Sequence, residues 1–321
     1  AHFLAEAQLD LVARITDEPR IERYDRLVRD DRKVPYWVVK PIDLPRGRDP
    51  YATLPPDLAL AASADAPARV TPDGDTARDG AGMVDPTRSA GFAVAALQRY
   101  QETGREVWLT RAEEAVDEAL STSRDGLLQY RYRQDNVFGE QMNRPWASAR
   151  GQGLMLSALS RLYEIDRDPR RLAQAQQVFD ALAQVRDYGY PRPDPWLASV
   201  DYSGYLWFEQ YADGQGASLV VSGHLAAVIG LYDYWNVSGD RTAEAYLRGG
   251  LSTIRDALPL VRHPGRYASS SLAKDLSDPR SHRVIEAQIA ALARVTGDPE
   301  LTRYATRLAR DYEKAHRREE R

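Results

Sequence analysis

Residues 85–100, DPTRSAGFAVAALQRY, decide the fold class of this 321-residue chain. Their apolar side chains recur at helical spacing, at Ala93, Ala96, Leu97 and Tyr100, which predicts a helix with one buried face. Such a helix, with an aromatic residue near its end, is followed by a polar turn and a second helix. This helical hairpin recurs along the chain and therefore sets the predicted architecture.

The predicted hairpins turn at four places that share one chemistry. Glycine accepts the left-handed position after a helix, aspartate caps the next helix, and proline suits its first turn. Arg167 is the weakest match because it lacks the conformational freedom of glycine. The turns are Thr103-Gly104-Arg105, Asp166-Arg167-Asp168-Pro169, Ser238-Gly239-Asp240 and Thr296-Gly297-Asp298-Pro299.

The spacing of the hairpins, roughly 60 to 70 residues, is too long for tetratricopeptide or HEAT arrays and suits a toroid whose loops build a cleft. We therefore predict an all-α fold, an (α/α) toroid of helical hairpins with short β-strands in the loops. Residues 127–133, LLQYRYR, alternate like one such strand. The predicted domains are an N-terminal helix plus a Pro/Asp-rich irregular segment over residues 1–82, and the toroid catalytic domain over residues 83–321.

Composition excludes several classes of function. The chain carries 43 basic and 47 acidic residues, so its net charge of −4 gives no bulk attraction to nucleic acid or to an anionic membrane. It has no cysteine, which excludes disulfides, thiolate nucleophiles and zinc–thiolate sites. No apolar run reaches the roughly 18 residues of a membrane span. The opening AHFLAEAQLDLVARI is too acidic for a signal peptide. The sequence does not decide the cellular compartment.

Two further stretches have alternative interpretations. The run 188–211 is unusually rich in aromatic side chains, which either pack loops onto the toroid or form a platform for sugar faces. The stretch Asp73–Gly80 spaces its carboxylates like part of a calcium loop, but Val84 stands where the bidentate acid is expected. We therefore predict no metal site.

Several short motifs occur in the order found in one known family. Pro145–Gly153, PWASARGQG, is similar to a PW-x-SA-x-x-QG motif, and Trp207–Tyr211, WFEQY, to W-[YF]-E-E-Y. Gly223, then Ile229–Asp233, IGLYD, and Leu258–Leu260, LPL, resemble elements that follow at similar spacing. Over roughly residues 83 to 317 the chain thus resembles the C-terminal catalytic domain of the D-glucuronyl C5-epimerases.

The resemblance implies proton removal from C5 of a glucuronate within a heparosan-like polysaccharide, and return of a proton from the opposite face. It also implies no cofactor and a homodimer. The chemistry demands a group that neutralises the C6 carboxylate, a base on one face and an acid on the other. Arginine is the obvious partner for the carboxylate because it is always charged and binds it with two hydrogen bonds.

The resemblance also implies the catalytic residues. Tyr211 corresponds to an active-site tyrosine, Glu209 to the first glutamate of its motif, and Tyr267 to a later tyrosine. The second glutamate of the motif is Gln210 here, and an amide cannot exchange a proton near neutral pH. A further catalytic tyrosine is replaced by Ser281, beside which His282 remains. The expected rebuilt site uses Glu209, Tyr211, Tyr267, His263 and His282.

Six residues are expected to bind substrate, and most have a structural alternative. Arg150 either meets a carboxylate or forms an ion pair, and Trp146 is either a sugar platform or a core anchor. In the alternating strand either the two tyrosines or Arg131 and Arg133 meet substrate, and we favour the tyrosines. The predicted binding residues are Arg150, Gln152, Trp146, Tyr130, Tyr132 and Trp207. His224, on an apolar helix, is expected to be a core residue.

Four functions remain open on sequence alone. The first is a uronate epimerase, and the second is a polysaccharide lyase that forms the same C5 carbanion but expels the C4 oxygen. The third is a glycoside hydrolase, which needs two carboxylic acids such as Glu209 and Asp201, although nothing in their spacing supports it. The fourth is a carbohydrate-binding homologue without catalysis.

Overall fold

The computed structural model describes residues 37–51, 83–186, 196–213 and 216–319. Over these residues the chain forms helical hairpins with short antiparallel strand pairs in the loops. The helices are α1 (Pro86–Thr103), α2 (Glu106–Leu120), α3 (Ala149–Asp166), α4 (Pro169–Leu182), α5 (Val221–Ser238), α6 (Arg241–Val261), α7 (Pro279–Thr296) and α8 (Pro299–Glu319). The strands are β1 (Ser123–Arg124), β2 (Leu127–Leu128), β3 (Ala198–Val200), β4 (Leu206–Phe208), β5 (Ser269–Ser271) and β6 (Leu276–Ser277). The predicted all-α (α/α) toroid is confirmed.

The helices form two layers. The inner layer contains α1, α3, α5 and α7, each packed on the next, and each inner helix also packs on the outer helix that follows it. Helices α3 and α5 are buried on nearly every side, whereas α8 buries one stripe and exposes its charged face. Because every outer helix returns the chain, the inner helices run in the same direction. Their N-terminal ends therefore meet at one end of the molecule.

The hairpin turns have the predicted chemistry. Gly104 ends α1 in the left-handed region with φ 64°, and Arg167 adopts the same conformation after α3 with φ 57°. The guanidinium of Arg167 lies 5.5 Å from the ring centre of Tyr163, a contact that compensates part of the strain of a non-glycine residue there. Aspartate caps two of the helices that follow a turn. The Asp168 carboxylate accepts the Arg170 N–H at the start of α4, and the Asp240 carboxylate accepts the Ala243 N–H at the start of α6.

The alternating stretch 127–133 is a shorter strand than predicted. Only Leu127 and Leu128 form β2, paired with β1, and Tyr130 then makes an isolated bridge with Trp146. The partner changes because β1 begins only at Ser123, which pairs with Leu128, so the segment around Trp146 takes over the hydrogen bonds of Tyr130.

Several predictions concern residues outside the described part of the chain. They include the N-terminal helix, most of the Pro/Asp-rich segment, the calcium-like stretch from Asp73, and Tyr188 and Tyr190 of the aromatic run. The domain boundary at residue 82 stays a prediction.

Residues 37–42 run along the outer helix α6, and residues 45–49 lie across the C-terminal halves of the inner helices. The Tyr232 hydroxyl of α5 donates to the Pro45 carbonyl at 2.7 Å, and Arg48 donates to the Arg294 carbonyl of α7 at 2.9 Å. Arg161 of α3 pairs with Asp49 at 2.6 Å. This end of the molecule is thus covered, and the N-terminal ends of the inner helices lie at the opposite end.

Candidate active site

A groove of about 520 Å³ opens at the N-terminal ends of the inner helices. Arg150 of α3, Ser222 of α5 and Arg280 of α7 each occupy the second position of their helix, and all three line the groove. Tyr211, which follows β4, and Lys274, between β5 and β6, also line the groove. Three hairpins of the toroid thus contribute side chains to one groove.

Arg150 is the unusual side chain of this groove. It is only 7% exposed, and its Nε and Nη2 have no hydrogen-bond partner among the described residues. A buried guanidinium without a partner is costly, since its charge has left water without compensation. An anion in the groove would supply the missing hydrogen bonds, and a carboxylate matches the planar fork of arginine.

The groove is electrostatically suited to an anion. Its described lining contains three basic residues, Arg150, Lys274 and Arg280, and one acidic residue, Asp135. Ser148 and Val220 directly precede helices α3 and α5, and neither caps its helix with a side-chain hydrogen bond. The first-turn N–H groups of both helices therefore add positive partial charge at this end.

Backbone pairing assembles an aromatic cluster behind Tyr211. Trp146 forms a bridge with Tyr130, and the next residue, Ala147, forms one with Ala212. Tyr130 stacks on Trp146 with ring centres 4.1 Å apart, and the rings of Trp146 and Tyr211 lie 6.1 Å apart. The structure thus brings together four of the predicted aromatic residues, since Tyr132 also meets Trp146 edge-on at 5.6 Å.

The two strand tyrosines are held as neutral phenols. The Tyr130 hydroxyl lies 2.5 Å from Thr87 Oγ1, and the ring is fully buried. The Tyr132 hydroxyl donates to the Asp85 carboxylate. Burial, followed by the negative charge of Asp85, raises the pKa of Tyr132 far above its usual range. Tyr132 is therefore a protonated group linked to a carboxylate behind the groove.

Gln152 and Trp207 are placed outside the groove. The Gln152 amide is fully buried, accepts the Leu128 N–H at 2.9 Å and donates to the Gly126 and Val178 carbonyls, each at 3.0 Å. Trp207 is also buried and donates its indole N–H to Asp201 at 3.1 Å. Gln152 thus connects the β1–β2 hairpin to α3, whereas Trp207 stabilises the β3–β4 hairpin itself.

Glu209 holds the turn that precedes α5. Its fully buried carboxylate accepts the Ser218 N–H at 2.9 Å, the Ser218 hydroxyl at 3.0 Å and the Leu219 N–H at 3.2 Å. Leu219 has a φ of 46°, a strained left-handed conformation for leucine, and these bonds help to fix it. Burial raises the pKa of Glu209, although the three donors act in the opposite direction.

Tyr267 and His282 form a second aromatic group, packed against α8. The Tyr267 hydroxyl donates to Glu319 at 2.8 Å. His282 is fully buried, and its Nδ1 accepts the Ala268 N–H at 2.8 Å while its Nε2 lies 2.9 Å from the Leu308 carbonyl. The structure does not place these two residues in the groove lining. His263 lies apart as well, 2.7 Å from the Ser269 hydroxyl.

Both positions at which the sequence departs from the family motifs line the groove. The Gln210 amide oxygen accepts the Ser222 hydroxyl at 3.3 Å, and Gly223 leaves room for it, since a Cβ there would lie 2.5 Å from Gln210 Cβ. Ser281 lines the groove next to Arg280. Sequence reasoning missed Lys274, which lies in no recognised motif, and Arg280, which directly precedes the motif position held by Ser281. A basic residue at the start of an inner helix, as at Arg150, was a further signal for Arg280.

The fold resembles solved carbohydrate-active enzymes at low identity. A GH76 α-mannanase of Bacteroides thetaiotaomicron is 11% identical with a TM-score of 0.46, over 68% of this chain and 54% of that one. A cellobiose 2-epimerase of Bacillus thermoamylovorans is 12% identical with a TM-score of 0.44, over 68% and 58%. An unsaturated glucuronyl hydrolase of Streptococcus agalactiae is 13% identical with a TM-score of 0.46, over 70% and 57%. The chain thus spans little more than half the length of these structures.

The sequence itself matches one family. Comparison with curated proteins of known function gives no match. The family described as D-glucuronyl C5-epimerase C-terminus matches residues 124–310, which is more than half of the 321-residue chain and contains the whole groove wall from Asp135 to Val284. The motifs at Trp146 and Tyr211 both fall inside this match. The chain therefore belongs to the D-glucuronyl C5-epimerase C-terminal family.

Proposed function

We propose that the protein inverts C5 of D-glucuronate residues within a heparosan-like polysaccharide. The observation that carries this proposal is Arg150, a buried guanidinium with unpartnered N–H groups in the same groove as Tyr211. Removing the C5 proton places negative charge next to a carboxylate that is already ionised. A fixed cation at that carboxylate, in a site partly shielded from water, stabilises the developing charge.

In the proposed mechanism the C6 carboxylate binds Arg150, and Tyr211 exchanges the C5 proton. The C5–H bond breaks, its electron pair delocalises into the carboxylate, and a proton added to the other face of C5 gives the inverted sugar. Lys274 is the proposed donor for that face, because Gln210 and Ser281 have no proton that exchanges as an acid near neutral pH. Tyr132, hydrogen-bonded to Asp85, supports Tyr211 from behind.

This proposal gives positioning roles to three residues that the motifs marked as catalytic. Glu209 orients the turn before α5, and His282 and Tyr267 tie the segment that leads into β5 to α8. Of the predicted binding residues, Arg150, Tyr130, Tyr132 and Trp146 form or support the groove. Gln152 binds backbone groups of the β1–β2 hairpin, and Trp207 binds the Asp201 carboxylate, both away from the groove.

The test is incubation with heparosan and with other uronate polymers in heavy water, followed by NMR. We expect deuterium at C5 and iduronate signals with unchanged chain length. Arg150→Gln should lose this exchange, whereas Arg105→Gln, an exposed arginine at the far α1–α2 turn, should keep it. Folded protein that incorporates no deuterium into any uronate polymer would contradict the proposal.

A polysaccharide lyase is the second candidate, favoured by one observation. Tyr211 is the one phenol among the described residues that line the groove, because Ser281 occupies the position of the other tyrosine. A single group can take the C5 proton and pass it to the departing C4 oxygen on the same face, so that the C4–O bond breaks and a C4–C5 double bond forms. Ultraviolet absorbance of unsaturated uronates with shortened chains would establish this reaction instead.

The remaining partners stay predictions. Among the described residues no helix is long and apolar enough to cross a membrane. The homodimer implied by the resemblance is tested by sedimentation of the purified chain. Sugar binding without deuterium exchange or cleavage would identify a non-catalytic homologue.

A further inference from the structure

A second groove, which we name the arginine groove, lies beside the candidate active site. It encloses about 730 Å³ and is lined by Arg124, Arg131 and Arg144 together with the amides of Gln129, Gln141 and Asn143. Its described lining contains no acidic residue. In a chain with a net charge of −4, three arginines and three amides around one concavity form a local site for an anion.

The cations of the arginine groove are available to a ligand. Arg131 donates to the neutral Gln129 amide at 3.2 Å, and Arg124 comes no closer than 3.9 Å to Asp125, which is itself exposed. Within the described ranges, neither Arg131 nor Arg144 forms an ion pair, and both side chains are exposed. A bound carboxylate would therefore replace water and no internal salt bridge would have to break.

The arginine groove shares a wall with the candidate active site. The loop 135–141 closes on itself through a bridge between its end residues, Asp135 and Gln141. The Asn136 side chain accepts the N–H groups of Phe138 at 2.9 Å and Glu140 at 3.1 Å. Asp135 and Asn136 line the active-site groove, whereas Gln141 lines the arginine groove. One ordered loop therefore separates the two sites.

Strand alternation explains why the two sites differ in chemistry. Tyr130 and Tyr132 point to the aromatic cluster behind Tyr211, so Arg131 between them points to the other face of the same segment. The bridge from Tyr130 to Trp146 places Arg144 and Pro145 beside that outer face. The backbone that orders the aromatic cluster behind Tyr211 also aligns the arginines.

We propose that the arginine groove is a second anion site, which binds the carboxylate of another uronate residue in the same polymer chain. This inference rests on the proposed function, because it extends the substrate of the candidate active site beyond the reacting sugar. Two linked anionic units that occupy two sites bind more tightly than either alone, because the second contact is intramolecular. The site would thus make the protein prefer polymer over short oligosaccharides.

The experiment compares an Arg131→Ala/Arg144→Ala variant with an Arg99→Ala/Arg303→Ala control, which removes the same charge from exposed helix surfaces. Affinity is measured calorimetrically for unsulfated heparosan polymer and for an oligosaccharide with a single uronate. We expect the groove variant to lose at least about tenfold in affinity for polymer and to bind the oligosaccharide as the wild type does. The control should match the wild type for both ligands.

A control variant that loses as much polymer affinity as the groove variant would overturn the inference, because it would show a general charge effect. The same conclusion would follow if the groove variant lost as much affinity for duplex DNA as for the polymer. Unchanged polymer affinity in the groove variant would overturn it as well. The measurement is independent of turnover. Binding that depends on Arg131 and Arg144 but occurs without C5 exchange would uphold the anion site and refute only the proposed epimerisation.

Discussion

Gly153 of α3 and Gly230 of α5 meet backbone to backbone. A Cβ at residue 230 would stand 2.0 Å from the Gly153 carbonyl oxygen, and one at residue 153 would stand 2.3 Å from the Ala226 carbonyl oxygen. The two inner helices therefore cross at a distance that only glycine permits. Because Arg150 lies in the first turn of one helix and Ser222 in the first turn of the other, this crossing sets the width of the groove between them.

Gly230→Ala should destabilise the protein and impair its activity. The added methyl group meets backbone, which cannot rotate away, so α3 and α5 must separate. We expect a loss of about 1–3 kcal/mol or more in the free energy of unfolding, measured by urea denaturation. Gly216→Ala is the matched control, since a Cβ there meets nothing within 4 Å. Equal stability of the two variants would show that the crossing tolerates a side chain.

Tyr211→Phe should abolish most turnover while the fold persists. The ring still packs against Trp146, at the 6.1 Å distance between ring centres, but the variant has no hydroxyl to exchange a proton. We expect C5 deuterium incorporation to fall roughly 10²- to 10⁴-fold at unchanged polymer affinity. Tyr163→Phe, at the distant α3–α4 turn, is the control. A Tyr211→Phe variant with near wild-type exchange would assign the proton transfer to another group.

Glu209→Gln distinguishes a positioning role from proton transfer. The amide oxygen of glutamine can still accept from the Ser218 and Leu219 N–H groups, so the turn before α5 should survive. We expect exchange activity within about tenfold of wild type, whereas loss of a general acid or base costs roughly 10²- to 10⁴-fold.

Glu209→Leu is the companion variant, because it removes the acceptor and leaves the turn donors unpaired. Its free energy of unfolding should fall by about 1–3 kcal/mol. A hundredfold loss of activity in a Glu209→Gln variant of normal stability would return Glu209 to the catalytic residues.

The architecture was predictable because it depends on local rules. Gly104 and Asp240 act through their own backbone and their immediate neighbours, so their roles follow from short sequence. Arg167 showed that the rule extends to a non-glycine residue when the turn is fixed by the helices on both sides.

The site was predictable only in part, because motifs do not separate side chains that line the groove from side chains that hold loops. Gln152 and Glu209 belong to the same motifs as Arg150 and Tyr211, yet the Gln152 amide and Glu209 Oε2 bind backbone groups outside the groove. Lys274 reaches the groove from a loop whose path depends on tertiary contacts. Nothing in the spacing of the sequence encodes such a placement.

A buried charge cluster at the opposite end of the toroid has a measurable pH dependence. Arg161 is 4% exposed, pairs with Asp49 at 2.6 Å and lies 3.5 Å from Asp233, so two carboxylates share one guanidinium. Its guanidinium also lies 4.5 Å from the ring centre of Tyr51. Burial raises the pKa of Asp233 to about 6, although Arg161 acts in the opposite direction.

Asp233→Asn should gain stability relative to wild type as the pH rises. A raised carboxyl pKa means that the folded state holds the proton more tightly than the unfolded state, whose pKa is near 4. The stabilisation by the neutral acid is therefore complete below about pH 4 and is lost as the pH rises through about 6. Asparagine stays neutral throughout, so the difference in unfolding free energy between variant and wild type should grow by up to about 3 kcal/mol across this range.

The measurement is urea denaturation of both proteins at a series of pH values between about 4 and 7. Asp43→Asn, an exposed change in the same 37–51 segment, is the control. The opposite slope, with Asp233→Asn losing stability relative to wild type as the pH rises, would mean that Arg161 stabilises the Asp233 carboxylate more than burial opposes it. Both acids would then be charged partners of Arg161 in the folded protein, and the cluster would strengthen toward neutral pH.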